Sequence, residues 1–122
     1  RSGKFVSSIN LDLNYIGIKG VQPLVEILKV NQGLTFLNLK DNNIENNEVR
    51  LLANALLDPV AGGSLTHLDL SNNPISLAGG SALMDLVTQQ KSLTTIVLKG
   101  TLIQGKVVEK ITMAARRNAD AQ

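Results

Sequence analysis

Cysteine and tryptophan are both missing from the 122 residues. Without thiols the chain has no disulfide, no thiolate nucleophile and no thiolate metal site, and it suits a reducing compartment. Histidine occurs once, as His67, which leaves too few imidazoles for a histidine metal cluster. Aromatic residues make up 2% of the chain against 43% hydrophobic, so aliphatic side chains and alanine must supply whatever core exists. There is no Asn-x-Ser/Thr triplet to accept a glycan. Apolar runs stay far below the roughly 18 residues that a bilayer-spanning helix needs, and no secretory leader opens the chain. The expectation is a soluble, intracellular, cytoplasmic protein with no membrane partner. The formal charge is only +2, and no basic run occurs before the C-terminus, so no nucleic-acid partner is expected either.

What the chain does contain is an internal repeat. Leu65-Thr66-His67-Leu68-Asp69-Leu70-Ser71-Asn72-Asn73-Pro74-Ile75 recurs as Leu34-Thr35-Phe36-Leu37-Asn38-Leu39-Lys40-Asp41-Asn42-Asn43-Ile44 and, less closely, as Val6 to Ile16 and Leu93 to Ile103. The copies start at residues 6, 34, 65 and 93, at intervals of 28, 31 and 28. Aliphatics fall at places one, four, six and eleven of each copy, and Asn stands at place nine in three of them, as Asn14, Asn42 and Asn73. The apolar-polar-apolar centre, as in Leu68-Asp69-Leu70, puts both leucines on one face of a short strand. Four such strands at near-equal intervals stack into a parallel sheet. A carboxamide at place nine can satisfy backbone groups of its own turn and of the next, so the asparagines should form a ladder.

This pattern resembles the leucine-rich repeat, L-x-x-L-x-L-x-x-N-x-L, over roughly residues 6 to 117. The 28-residue period with a helical second half is similar to the ribonuclease-inhibitor-like class. The resemblance implies an α/β solenoid segment with four parallel strands on its concave face and helices on its convex face. It also implies an intracellular scaffold or regulator that binds another protein, since extracellular members often carry cysteine-rich caps. Residues 1–122 are read as one such domain, and as a fragment of a longer protein, because Arg1-Ser2-Gly3-Lys4 runs into the first copy with no cap.

Along the chain, the strands are expected at Ser8 to Leu11, Phe36 to Leu39 and His67 to Leu70, with a fourth in the last copy. In the first copy Val21, Leu24, Val25 and Leu28 form one helical stripe, with Pro23 setting the helix start near Gly20 or Val21. Helices follow at about Asn46 to Leu57 and Leu77 to Gln90. Asp58 to Ser64 carries the three extra residues of the long interval and reads as a loose surface turn. Thr101 replaces the place-nine Asn in the fourth copy, so the ladder should end there. The final helix, with Ala114, Ala115, Arg116 and Arg117, reads as a terminal element with one side in water.

With the aliphatics turned inward, the intervening strand residues line up in columns on the concave face: Ser8-Phe36-His67-Thr95, Asn10-Asn38-Asp69-Val97 and Asp12-Lys40-Ser71-Lys99. Phe36, His67, Asn38, Asp69, Lys40 and Lys99 are the candidate partner-binding residues, with cross-strand packing of Phe36 on His67 as the competing account. Leu13, Tyr15 and Leu102 occupy loop places that are polar or Pro in the middle copies, and contact with neighbouring structure is the preferred account of them. Gly100 to Val107 matches G-x-x-x-x-G-K, but Val107 stands where a P-loop needs Ser or Thr, and Ile103 is a pattern aliphatic that belongs in the core. The Gly17-Ile18-Lys19-Gly20 pattern is explained by repeat register. Lys106, Lys110, Arg116 and Arg117 read as a solvated face whose later cations favour a helix C-terminus. Ser71, His67 and Asp69 all point outward on an open sheet, which does not make a catalytic triad.

The sequence therefore predicts a non-enzymatic protein-interaction module without catalytic residues, metal or cofactor. Alternatives are a nucleotide-handling or GTPase-regulating protein, and a structural assembly segment that self-associates through the uncapped N-terminal edge.

Overall fold

Period-two patterning over only three residues per copy yields four short strands, and the remainder of each copy coils into a helix. The computed structural model describes residues 5–13 and 16–122, so that Asn14, Tyr15 and the Arg1-Ser2-Gly3-Lys4 start lie outside the described residues. In order, the elements are β1 (Ser8–Asn10), α1 (Gly17–Val30), β2 (Phe36–Asn38), α2 (Asn46–Leu56), α3 (Pro59–Gly62), β3 (His67–Asp69), α4 (Leu77–Gln89), β4 (Thr95–Val97) and α5 (Gly105–Asp120). The strands pair in chain order, all parallel. Register runs Ser8, Phe36, His67, Thr95 across the sheet, and likewise Asn10, Asn38, Asp69, Val97, as the repeat spacing requires.

The core is one aliphatic layer between the sheet and the helices. Leu37, Leu39, Leu68, Leu70, Ile96 and Leu98 enter it from the strands and Leu24, Leu28, Leu52, Leu56, Leu83, Val87 and Ile111 from the helices. Helix spacing at i, i+3, i+4 and i+7 keeps each helix facing this layer along one stripe.

Three columns of polar side chains bind copy to copy. Asn73 Nδ2 donates to the carbonyls of Leu39, Leu70 and Ser71, while its Oδ1 accepts the N–H groups of Asn42 and Ile44. Asn42 repeats the arrangement one step earlier, donating to Leu11 O and Lys40 O and accepting from Ile16 N. Thr101, in the same place, makes one side-chain bond, to Leu98 O of its own copy, so the ladder ends where a hydroxyl replaces a carboxamide. At place two, the hydroxyls of Thr35, Thr66 and Thr94 donate to Ser7 O, Thr35 O and Thr66 O. At the far end of the helices, Gln90 Nε2 donates to Leu56 O and Asp58 O, and Asn118 Nδ2 donates to Val87 O and Leu93 O. Of these carbonyls, Leu56 O and Val87 O are among those that the C-termini of α2 and α4 leave unpaired.

Two expectations about helix boundaries need correction. First, α1 starts at Gly17, three or four residues before the expected start at Gly20 or Val21, so Pro23 lies in the helix rather than in its first turn. The early start is held from the neighbouring copy: Asn42 accepts Ile16 N at its side chain and Gly17 N at its main-chain oxygen. Those bonds offset the one that Pro23 cannot make. Second, the insertion at 58–64 is not a loose turn. Asp58 Oδ1 accepts Val60 N at 2.7 Å, Pro59 sits at the first helical position, and Ala61 and Gly62 are buried in the one-turn helix α3. Gly62 is needed there because a β-carbon would run into the Leu56 carbonyl.

Candidate functional site

Strand alternation sends Leu37, Leu68 and Ile96 into the core and leaves their flanking residues on the opposite, open face. Phe36 and His67 are directly opposite in register, and their rings stack with centroids 4.7 Å apart and planes 19° from parallel. Both are only half-buried, so the stack presents a flat apolar and π surface beside polar groups. The cross-strand packing considered as the competing account is therefore present, and it also builds a preformed platform.

The next column is partly committed to structure. Asn38 Oδ1 accepts the Lys40 N–H at 3.0 Å and Asp69 Oδ1 accepts the Ser71 N–H at 2.9 Å, each bending the chain out of its strand; Asn10 does the same for Asp12. Val97 cannot take part, and in the fourth copy the column ends in an apolar side chain.

Beyond the strand ends, Lys40, Asp69, Ser71, Asn72, Val97 and Lys99 line a depression of about 270 Å³. Lys40 is half-buried and Lys99 exposed, two cations flanking the buried Ser71. The structure thus brings Lys40, Asp69 and Lys99 together around one hollow and joins Phe36 to His67 beside it. Asn38 links the two as the register neighbour of Asp69.

The turn at 100–107 is committed to structure as well. Ile103 is 7% exposed and lies in the aliphatic core. The amides of Leu102, Val107 and Val108 already donate to Ile75 O and Gln104 O, so they are not arrayed to cradle a phosphate. Among the described residues no three His, Cys, Asp or Glu side chains converge in a way that would hold a metal ion, and no helix is long and apolar enough to cross a membrane.

A backbone requirement beside the hollow is not evident from the repeat pattern alone. Place eight has positive φ in every copy, at Leu13 (61°), Asp41 (58°), Asn72 (57°) and Gly100 (78°). Asp, Asn and Gly at three of these four positions are the available signal, because they tolerate left-handed backbone. Gly100 is further constrained, since a β-carbon there would meet the Asn72 carboxamide oxygen.

Residues 30–53 and 64–84 match the family described as Leucine Rich repeat. The chain is 31% identical over 101 residues to NACHT, LRR and PYD domains-containing protein 14 of Mus musculus, covering 83% of this chain and 10% of that protein. It is 28% identical over 98 residues to Rho GTPase-activating protein gacW of Dictyostelium discoideum, covering 79% and 9%. The chain therefore spans about a tenth of the length of these curated relatives. Among solved structures, Leiomodin-1 Actin-Binding Site 2 superposes with a TM-score of 0.71 at 18% identity, over 95% of this chain and 82% of that one. The tropomodulin C-terminal domain of Caenorhabditis elegans superposes with a TM-score of 0.61 at 12% identity, over 95% and 86%. These two likenesses bear on the fold.

Proposed function

Starting from a chain that carries leucine-rich repeats and folds as a leucine-rich-repeat solenoid, we propose that it is a protein-recognition module binding through its concave strand face. The observation that carries this reading is the stacked Phe36–His67 pair, held in register on a rigid sheet beside a hollow flanked by Lys40 and Lys99. Ring stacking fixes both side chains before any partner arrives, which lowers the ordering cost of binding. Asn38 and Asp69 keep unused acceptor positions after bending their strand ends, and the two lysines supply the charge that orients a partner. The intervals of 28 residues and the helical second half of each copy support placing the repeats in the ribonuclease-inhibitor-like class. We read residues 1–122 as a single repeat domain and assign it no catalytic role. One fold neighbour is named an actin-binding site, which makes actin one candidate to test directly.

The test is photo-cross-linking from a benzoylphenylalanine at position 36, alongside recovery of partners by the intact chain and by a Phe36→Ala, His67→Ala double variant. The proposal expects specific adducts from position 36 and loss of those partners in the double variant. Equal recovery of every partner by both proteins would overturn it.

A further inference from the structure

On the helix side of the stack, the groove between α2 and α4 and the groove between α4 and α5 differ in chemistry. The one between α2 and α4, about 380 Å³, includes Arg50, Asn54, Ser81 and Asp85, so it holds one charge of each sign. The one between α4 and α5, about 360 Å³, is lined by Met84 and Thr88 from α4 and by Lys110, Met113, Ala114 and Arg117 from α5. Its α5 residues follow i, i+3, i+4, i+7 spacing and form one stripe. Both charges are cations and no carboxylate lines the groove. Its floor holds the only two methionines of the chain, Met113 being 53% exposed. From the sequence, Lys110 and Arg117 are merely part of a solvated helix. The structure adds that α4 sets a second thioether opposite Met113 between them.

We propose that this α4–α5 groove docks an acidic amphipathic helix of another protein. Unbranched thioethers reshape around an inserted apolar side chain at little cost, and an exposed Met113 beside a half-buried Met84 suits a helical knob. Lys110 and Arg117 stand two turns apart, about 10 Å along the axis, which matches carboxylates two turns apart on a partner helix. The same-sign rim sets the orientation and disfavours basic partners. The groove lies on the side opposite the strand face, so this inference does not rest on the function proposed above.

The methionines also supply the probe. The chain is labelled with 13C-methyl methionine, giving two resonances that both belong to the groove, and titrated with a synthetic amphipathic peptide of about 15 residues, long enough for helix to form. The peptide carries Glu two turns apart flanking Leu, and the control has Gln for each Glu. Both methyl signals should shift with the Glu peptide. Lys110→Glu with Arg117→Glu should weaken binding about tenfold, as two rim charges would. Lys110→Gln with Arg117→Gln should also weaken it and serves if the reversed charges unfold α5. The Phe36→Ala, His67→Ala variant should bind like the parent, which separates this groove from the strand face. Absence of a shift, equal binding of the Gln peptide, or unchanged affinity in both charge variants would overturn the proposal. So would methyl shifts produced by anionic phospholipid vesicles or by raised protein concentration but not by the peptide.

Discussion

Asn73 shows what a single side chain does in a stacked fold. It is fully buried and serves five backbone groups, three carbonyls through Nδ2 and two amides through Oδ1, in two copies at once. Replacing it with Ala strands those groups in the core, and unsatisfied buried groups carry penalties of about 1–3 kcal/mol each before relaxation, so Asn73→Ala should destabilise by at least about 3 kcal/mol. Thr101→Val removes one bond from a half-buried hydroxyl in the corresponding place and should lose only about 1 kcal/mol. Urea unfolding of both variants checks the ranking, and similar losses would refute the ladder as the source of the difference. The ladder was legible in the sequence because Asn at place nine coincides with the point where each strand must turn. Leu13 carries in addition a backbone feature that side-chain patterning does not reveal. It adopts φ of 61° where another copy has Asn72, its side chain is 58% exposed, and it therefore bears left-handed strain without burial to offset it. Leu13→Asn should raise stability by about 0.5–1 kcal/mol, visible as a higher urea midpoint with unchanged slope.

At the level of elements, both ends of α4 are finished by residues of the neighbouring copies. Asn46 at the start of α2 accepts the amides of Ser76 and Gly79 and so caps α4, and a β-carbon at Gly79 would run into both the Ile75 side chain and this carboxamide oxygen. Asn118 of α5 does the converse for the C-terminus of α4, bonding Val87 O at 2.8 Å and Leu93 O at 2.9 Å. Asn118→Ala should destabilise by about 2 kcal/mol, since two buried carbonyls lose their donor, whereas Arg116→Ala on the exposed side should change stability by less than about 0.5 kcal/mol. Thermal unfolding of the pair decides it, and equal melting temperatures would show that α4 needs no such partner. This column occupies one place per copy as Asn31, Pro59, Gln90 and Asn118. It escaped notice in the sequence because Pro59 interrupts it where the insertion begins. The insertion itself was legible as extra length but not as α3, whose form depends on Gly62 fitting under the Leu56 carbonyl, a contact between residues that spacing alone does not reveal.

For the molecule as a whole, near-constant spacing made the sheet order and register readable, because equal intervals leave parallel stacking as the arrangement that buries every copy's aliphatics together. Spacing says less about how evenly that burial is shared. Leu34, Leu37 and Leu39 are 0% exposed, while the corresponding Val6 is 47% exposed and Ile9 and Leu11 are only half-buried. At the other end Leu93, Ile96 and Leu98 stay at 0%, 5% and 3%, because α5 crosses the last copy and pins its own carboxamide beneath α4. In a stack whose stability is a sum of units and shared faces, the first copy of this chain therefore opens more readily than the last. Native-state hydrogen exchange should show this as an opening free energy about 2 kcal/mol lower for the amides of Leu11, Leu13 and Gly17, which bond across the first boundary, than for those of Leu70, Asn72 and Thr95 at the last. The Phe36–His67 platform lies on the strands between these boundaries, so fraying of β1 and α1 would leave its geometry in place. Equal protection at both boundaries would instead mean that the four copies open as one unit and that exposure of Val6 has no energetic consequence.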